Sequence, residues 1–203
     1  MPSIWKEEVD IGLINEIFNT VKVPNSRGIL VPLESKEKQV LIRKPEEDFK
    51  PEKYPCVSIY NTSDKFSTDR YNPNKIKKIL PNGVIKLEDS AVPFDLTYNI
   101  DFWSRYQIDM NAMTKEWLKH HFRQFNLLVT DDVGNEVYVN CLRSSNARKS
   151  DLMSGGERLF HTIISYRIWV EIKDETQYNT DVATKVNIDV SQTKWGGMRK
   201  CLK

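Results

Sequence analysis

The stretch 94-FDLTYNIDFWSRYQIDMNAM-113 changes period halfway. Up to Trp103 apolar and polar residues alternate, which makes a strand with Leu96, Tyr98, Ile100 and Phe102 on one face. Asp95, Thr97, Asn99 and Asp101 take the other. After Ser104 the apolar residues fall three or four apart, at Tyr106, Met110, Met113 and Trp117, with Leu118 beside them, which is the stripe of an amphipathic helix. Ser104 is suited to the N-cap, and Gln107 three residues later completes a capping box. The spacing predicts a strand running directly into a helix that ends near Phe122. Asp101, Arg105 and Asp109 gather at the junction. Arg105 and Asp109 are spaced to pair on the helix surface, and the trio reads as the solvated side of the junction.

Working outward, a helix is expected from Trp5 to Val21, with Ile14, Ile17, Phe18 and Val21 at helical spacing and Leu13 widening the stripe. Ser3 is placed to cap it, and Pro24 and Gly28 end it. Residues 22–54 are punctuated by prolines and read mainly as connection, with one short strand at 39–43. A strand follows at 55–60. The polar run 61–75 reads as a surface loop, and a minor strand is expected at 84–88 after a Pro-Asn-Gly turn.

Strands at 127–130 and 136–142 flank Asp131–Asn135, the signature of a hairpin with a five-residue loop. Residues 143–158 read as a polar loop. The strongest strand, 159–172, longer than most, carries Phe160, Ile164, Tyr166, Ile168, Val170 and Ile172 on one face and a mixed second face, which suits a central position or a face in contact with another subunit. Beyond Lys173, Val182, Val186, Ile188 and Val190 alternate weakly. They suggest one more strand, or an arm that adds a strand to a neighbouring subunit.

With 203 residues the chain buries about 70% of its unfolded surface and needs no metal or disulfide staple. Thirty basic and 28 acidic residues leave a net charge of +2, too balanced to argue for nucleic acid or membrane. The segment from Ser191 to Lys203 is purely basic in its charges. Cys56, Cys141 and Cys201 are scattered and odd in number, which fits a reducing, cytosolic setting. No apolar run spans a membrane and the first residues do not form a secretion signal.

The residues offer little chemistry. His120 and His121 are adjacent on a helix and diverge, so they do not build a zinc site with His161. They read as polar residues at a helix C-terminus. Ser154–Arg158 leads into a strand, unlike a phosphate-binding glycine loop. No Gly-x-Ser-x-Gly elbow is present, and the cysteines lack a histidine partner. A metal-dependent nuclease would start from strand carboxylates such as Asp95 and Asp101, but nothing completes the cluster. No catalytic residue, cofactor or metal is therefore expected.

The run 92-VPFDLTYNIDFWSRYQIDMNAMTKEWLKHHF-122, followed by 157-ERLFHTIISYRIWVEI-172, resembles the tail terminator (tail completion and neck) proteins of tailed bacteriophages, contractile-tailed ones in particular. The likeness covers roughly residues 54–172. It implies an α+β fold, a mostly antiparallel sheet of about four to six strands packed by two main helices, with extended arms. One domain would occupy 1–173 and an extension 174–203. A homo-oligomeric ring, a hexamer, would cap the tail tube and join it to the neck. Its partners would be tail tube, neck and connector proteins, and the sheath of a contractile tail. Genomic DNA would pass through its lumen without specific binding. The implied place is the virion, after assembly in the cytoplasm of a host bacterium, without a membrane. A head-to-tail adaptor or sheath-capping protein is the neighbouring alternative, and a metal-dependent DNA-processing enzyme a more distant one. The expected assembly surfaces lie in two loops, at Asp64, Lys65 and Arg70 and at Arg143, Arg148, Lys149, Asp151 and Arg158.

Overall fold

The computed structural model describes residues 4–33, 40–44, 53–72, 76–79, 85–88, 91–152 and 158–172, with backbone alone for 76–79, 85–88 and 147–152. Within these, two helices lie against one face of a sheet, so the fold is α+β. Ser3, the glycine run 154–156 and the whole extension after 172 fall outside the described residues.

Helix α1, Lys6–Thr20, starts after Trp5, whose backbone N–H donates to the Glu8 carboxylate at 2.9 Å. It buries Val9, Leu13, Ile17 and, just past its end, Val21, while Ile14 and Phe18 are half-buried. The stretch expected to be mainly connection then forms a small antiparallel hairpin, β1 (Lys22–Pro24) with β2 (Leu30–Pro32). Its turn is held by the Asn25 side chain, which accepts from the N–H groups of Arg27 and Ile29, and by Gly28 at φ 75°.

The main sheet has six strands: β3 (Val40–Ile42), β4 (Cys56–Phe66), β7 (Val92–Ser104), β10 (Arg158–Ile172), β9 (Glu136–Leu152) and β8 (Gln124–Thr130), in that spatial order. Between β4 and β7 in the chain, β5 (Ile76–Ile79) and β6 (Ile85–Glu88) form a separate two-stranded sheet. The sheet is mixed, which corrects the expectation of a mostly antiparallel one. β3 joins β4 in parallel, and the other four pairings are antiparallel. A parallel neighbour cannot be made by a tight turn, and thirteen residues, 43–55, separate β3 from β4 in the chain.

Two expected loops are strands. Residues 61–66 continue β4, opposite 94–98 of β7, after a register shift between Asn61 and Ser63. Residues 143–152 continue β9, paired with β10 out to Leu152 and Arg158. Polarity misled the reading in both cases: residues 62–66 and 144–146 are exposed and lack the apolar alternation of a half-buried strand, while their pairing is set by β7 and β10.

β10 is central, as its two usable faces suggested. Its Ile164, Tyr166, Ile168 and Val170 join Leu96, Tyr98, Ile100 and Phe102 of β7 in the core. Helix α2 is Gln107–His120, with Met110, Met113 and Trp117 buried against them. Trp117 anchors this layer: its indole N–H donates to the Tyr166 hydroxyl at 2.9 Å, which donates to the His121 carbonyl at 2.8 Å.

The strand–helix junction departs from the expected capping box. The N-cap is Tyr106, and Ser104 ends β7. The Ser104 hydroxyl accepts from the Tyr106 N–H at 3.0 Å and donates to Asp109 at 3.3 Å, so it closes a tight turn before the helix. Tyr106, expected in the core, is 67% exposed, because the helix begins a residue later than the stripe required.

Candidate functional site

The second face of the sheet, away from the helices, carries the polar residues of β4, β7 and β10. The register sets out its rows. Cys56, Trp103 and His161 share one; Ser58, Asp101 and Ile163 the next; Tyr60, Asn99 and Ser165 the third. Farther along, Lys65, Asp95 and Trp169 share a row.

Asp101 is the largest correction to the sequence reading. It is fully buried rather than solvated. Arg43, just past β3, donates from Nη2 to Asp101 Oδ2 at 2.5 Å, and its guanidinium sits 3.8 Å over the Tyr60 ring. His161 Nε2 lies 3.2 Å from the same carboxylate oxygen, and its ring stacks on Trp103 at 3.7 Å. The Trp103 indole N–H donates to Ser58 Oγ at 3.2 Å. A buried carboxylate is tolerable only with such partners. Of the junction trio, Asp101 thus points into the protein. Asp109 bonds Ser104, and Arg105 lies 5.2 Å over the Tyr54 ring. Burial pushes the Asp109 carboxyl above its ordinary range, partly offset by the Ser104 hydroxyl.

An Asp–His pair near a cysteine and a serine invites a test for nucleophilic catalysis. Cys56 and His161 flank Trp103 in their row, two strand spacings or about 10 Å apart along the backbone. That is too far for the imidazole to take the thiol proton. Burial also pushes the Cys56 thiol up to about 12, so it stays protonated at neutral pH. The Cys141 thiol, in the core, is raised further for the same reason. Ser58 Oγ is occupied as an acceptor for Trp103. As built, the cluster is a polar clamp joining β3, β4, β7 and β10.

The carboxylates a nuclease would need do not converge. Asp95 and Asp101 are six residues apart on one strand, about 20 Å. Asp95 accepts from Arg70 at 2.7 Å. Among the described residues, no three His, Cys, Asp or Glu side chains gather to hold a metal ion. The two adjacent histidines also part company. His120 is exposed. His121 is buried, stacks on Trp117 at 3.9 Å, and meets Glu16 of α1 at 2.8 Å, so it ties the helices together.

The residues expected at assembly surfaces fall into two groups. At one end of the sheet Asp64 pairs with Lys6 at 2.5 Å, with both side chains about one-third exposed. Lys65 is exposed beside Asp95 on the next strand. Arg70 bonds Asp95 and the Phe94 carbonyl, and its guanidinium lies 5.6 Å from the Trp169 ring. At the other end, the backbone of Arg148, Lys149 and Asp151 is opposite Thr162, His161 and Leu159, and Arg158 is exposed opposite Leu152. Arg143 lies between, 4.9 Å over the Phe122 ring. Along β10, from Trp169 to Arg158, the ends are about 37 Å apart. Seven of the eight residues thus sit on strands, and Arg70 alone sits in a turn, within the expected loop.

Sequence reasoning missed one feature of this surface. β8 pairs with β9 only over Glu136–Leu142. The Arg143 N–H still donates to the Arg123 carbonyl at 2.9 Å, but from Ser144 to Leu152 the outer edge of β9 pairs with no other described strand. A bulge at Ser144, whose hydroxyl donates to the Ser165 carbonyl, marks the place where β9 leaves β8 behind. The signal for it was the length of the polar run opposite β10, since a strand as long as β10 needs a partner along its length. Exposed apolar side chains add to the surface: Tyr106 and Ile108 where α2 begins, 67% and 70% exposed, and Phe122 after it. No protein-family model matches the chain, and no curated protein matches it.

Proposed function

We propose that the protein is a structural component of a tailed-bacteriophage virion, a tail terminator that caps the tail tube as a ring of identical subunits and forms the joint to the neck. The observation that carries this reading is the nine-residue edge of β9, 144–152, which pairs with nothing among the described residues. A sheet edge of that length promotes pairing with another chain, and a closed ring would cover it in every subunit. The resemblance in 92–122 and 157–172 supports it too, since those residues supply β7, α2 and β10, the centre of the fold. The exposed Tyr106, Ile108 and Phe122 are suited to contacts between proteins. A hexamer, tube and neck partners, and passage of DNA through the lumen belong to the same proposal.

Negative-stain electron microscopy of the purified protein, with its mass in solution, tests the ring. Mixing it with tail tubes that lack a cap tests the role. Rings seated on tube ends are expected. Binding to the head-side connector alone would move the protein to the adaptor position. A single-copy mass at high concentration together with no binding to tubes would refute the reading.

A further inference from the structure

The open edge of β9 has the dimensions and charge of a site for one more strand. It spans residues 144–152, nine residues of backbone, since the Arg143 N–H already donates to the Arg123 carbonyl. In sequence this edge carries Arg148 and Lys149 against Asp151, a net charge of +1. The C-terminal extension holds a segment that matches it. Residues 181–190, DVATKVNIDV, contain no proline and alternate Val182, Val186, Ile188 and Val190 with polar residues. Their charges are Asp181 and Asp189 against Lys185, a net of −1. The signs are complementary.

Reach decides which copy supplies the segment. An added strand antiparallel to β9 would place Asp181 opposite Leu152 and Asp189 opposite Ser144. The described part of the chain ends at Ile172, three residues past Trp169, which faces Asn140. Ile172 is therefore level with Val137, fifteen residues short of Leu152, or about 50 Å at strand rise. Nine residue steps from Ile172 to Asp181 cover about 31 Å fully extended. The chain's own segment cannot make the antiparallel pairing. It could reach only the near end of the edge, as a parallel strand, and parallel pairing is the weaker kind.

We propose that residues 181–190 of one copy add as an antiparallel strand to the 144–152 edge of a second copy. The contact is heterologous: each subunit gives its tail to one neighbour and its edge to the other, the arrangement that closes rings. The inference deepens the ring reading and rests on it in requiring a second copy.

Paired cysteines test it in the full chain with Cys201→Ser. In antiparallel register Ser145 faces Ile188; in the parallel alternative within one chain it faces Ala183. Two differently tagged chains are mixed, one with Ser145→Cys and one with Ile188→Cys, and oxidised. A disulfide between the tags in most of the protein is expected. Within one chain, Ser145→Cys with Ala183→Cys is expected to give none. The reverse pattern overturns the proposal. Ending the chain at 173 is expected to weaken self-association at least tenfold, with circular dichroism unchanged outside the lost segment. Rings that persist in the shortened chain, with no disulfide between tags in the full one, would overturn this contact and leave the ring standing. A single-copy mass in every sample, again with no disulfide, would overturn both.

Discussion

Replacing Asp101 with Ala should be among the most damaging single changes in the protein. The carboxylate is wholly buried, and the Arg43 side chain that donates to it is 10% exposed. Removing the acid takes from the Arg43 guanidinium, held over the Tyr60 ring, the buried carboxylate it donates to, and leaves His161 without the oxygen 3.2 Å from its Nε2. Losing one partner of a buried ion pair costs about 3–5 kcal/mol. A pair at hydrogen-bond distance in an effective dielectric near 20 gives a Coulomb energy of roughly the same size. For a chain this long the loss corresponds to a fall in melting temperature of roughly 6–20 °C. Urea unfolding at one fixed protein concentration reads it, because self-association would otherwise shift the apparent stability. The double variant Arg43→Met, Asp101→Leu should recover much of the loss, since it removes both charges and fills the space. A cost for Asp101→Ala below about 1 kcal/mol, as at a surface pair, would refute the argument that the clamp is closed to water. A double variant no better than the single one would refute the claim that the lost Arg43–Asp101 pairing causes the loss.

The helix layer and the hairpin supply further tests. Gly12→Ala should destabilise by about 1–3 kcal/mol in thermal or urea unfolding, because the new Cβ would lie 2.8 Å from Val129 Cγ1 and 2.9 Å from the Leu128 carbonyl. Trp117→Ala should cost about 3–5 kcal/mol as a fully buried aromatic, and an unchanged melting temperature would refute its placement at the centre of the core. Tyr166→Phe should cost about 1–3 kcal/mol, since it strands the Trp117 N–H and the His121 carbonyl in the core. Burial alone would raise the Asp131 carboxyl, but bonds from the Asn135 side chain and the backbone of Asn135, Val133 and Gly134 hold it below its ordinary range. A carboxyl lowered on folding stabilises above its unfolded pKa and loses that contribution as pH falls through the folded one. The stability gap between wild type and Asp131→Ala should therefore close on acidification from neutral pH, which pH-dependent urea midpoints will show.

The core was legible because periodicity reports burial directly. The alternation in 94–103 and the stripe at Met110, Met113 and Trp117 gave the buried faces of β7 and α2 correctly. The same logic failed where a strand lacks apolar alternation: 61–66 and 143–152 carry serines and charges, and their pairing is set by β7 and β10, far away in sequence. Asp101 was misread for a related reason. Alternation assigns it to the polar face, but whether that face meets water depends on Arg43, 58 residues earlier. Half of the candidate surface was legible as a set of charged residues. Its geometry, an open edge with charged groups at two ends, depends on where β8 stops, and nothing in 124–130 or 136–142 states that.

The edges of the sheet explain why the open stretch of β9 matters more than the two outer strands. β3, on one side, is three residues long, too short to template much pairing. β8, on the other, has α1 packed so close that Gly12 leaves no room for a Cβ against the Leu128 carbonyl. A short edge and an edge under a helix are two known ways to blunt a sheet. The run 144–152 has neither protection among the described residues. It has basic residues, which repel a second copy of the same edge and so oppose edge-to-edge pairing of two β9 strands. An acidic partner strand would relieve that repulsion. The arrangement disfavours a symmetric dimer through β9 and favours a contact between unlike surfaces, and unlike surfaces are what a ring of identical subunits requires.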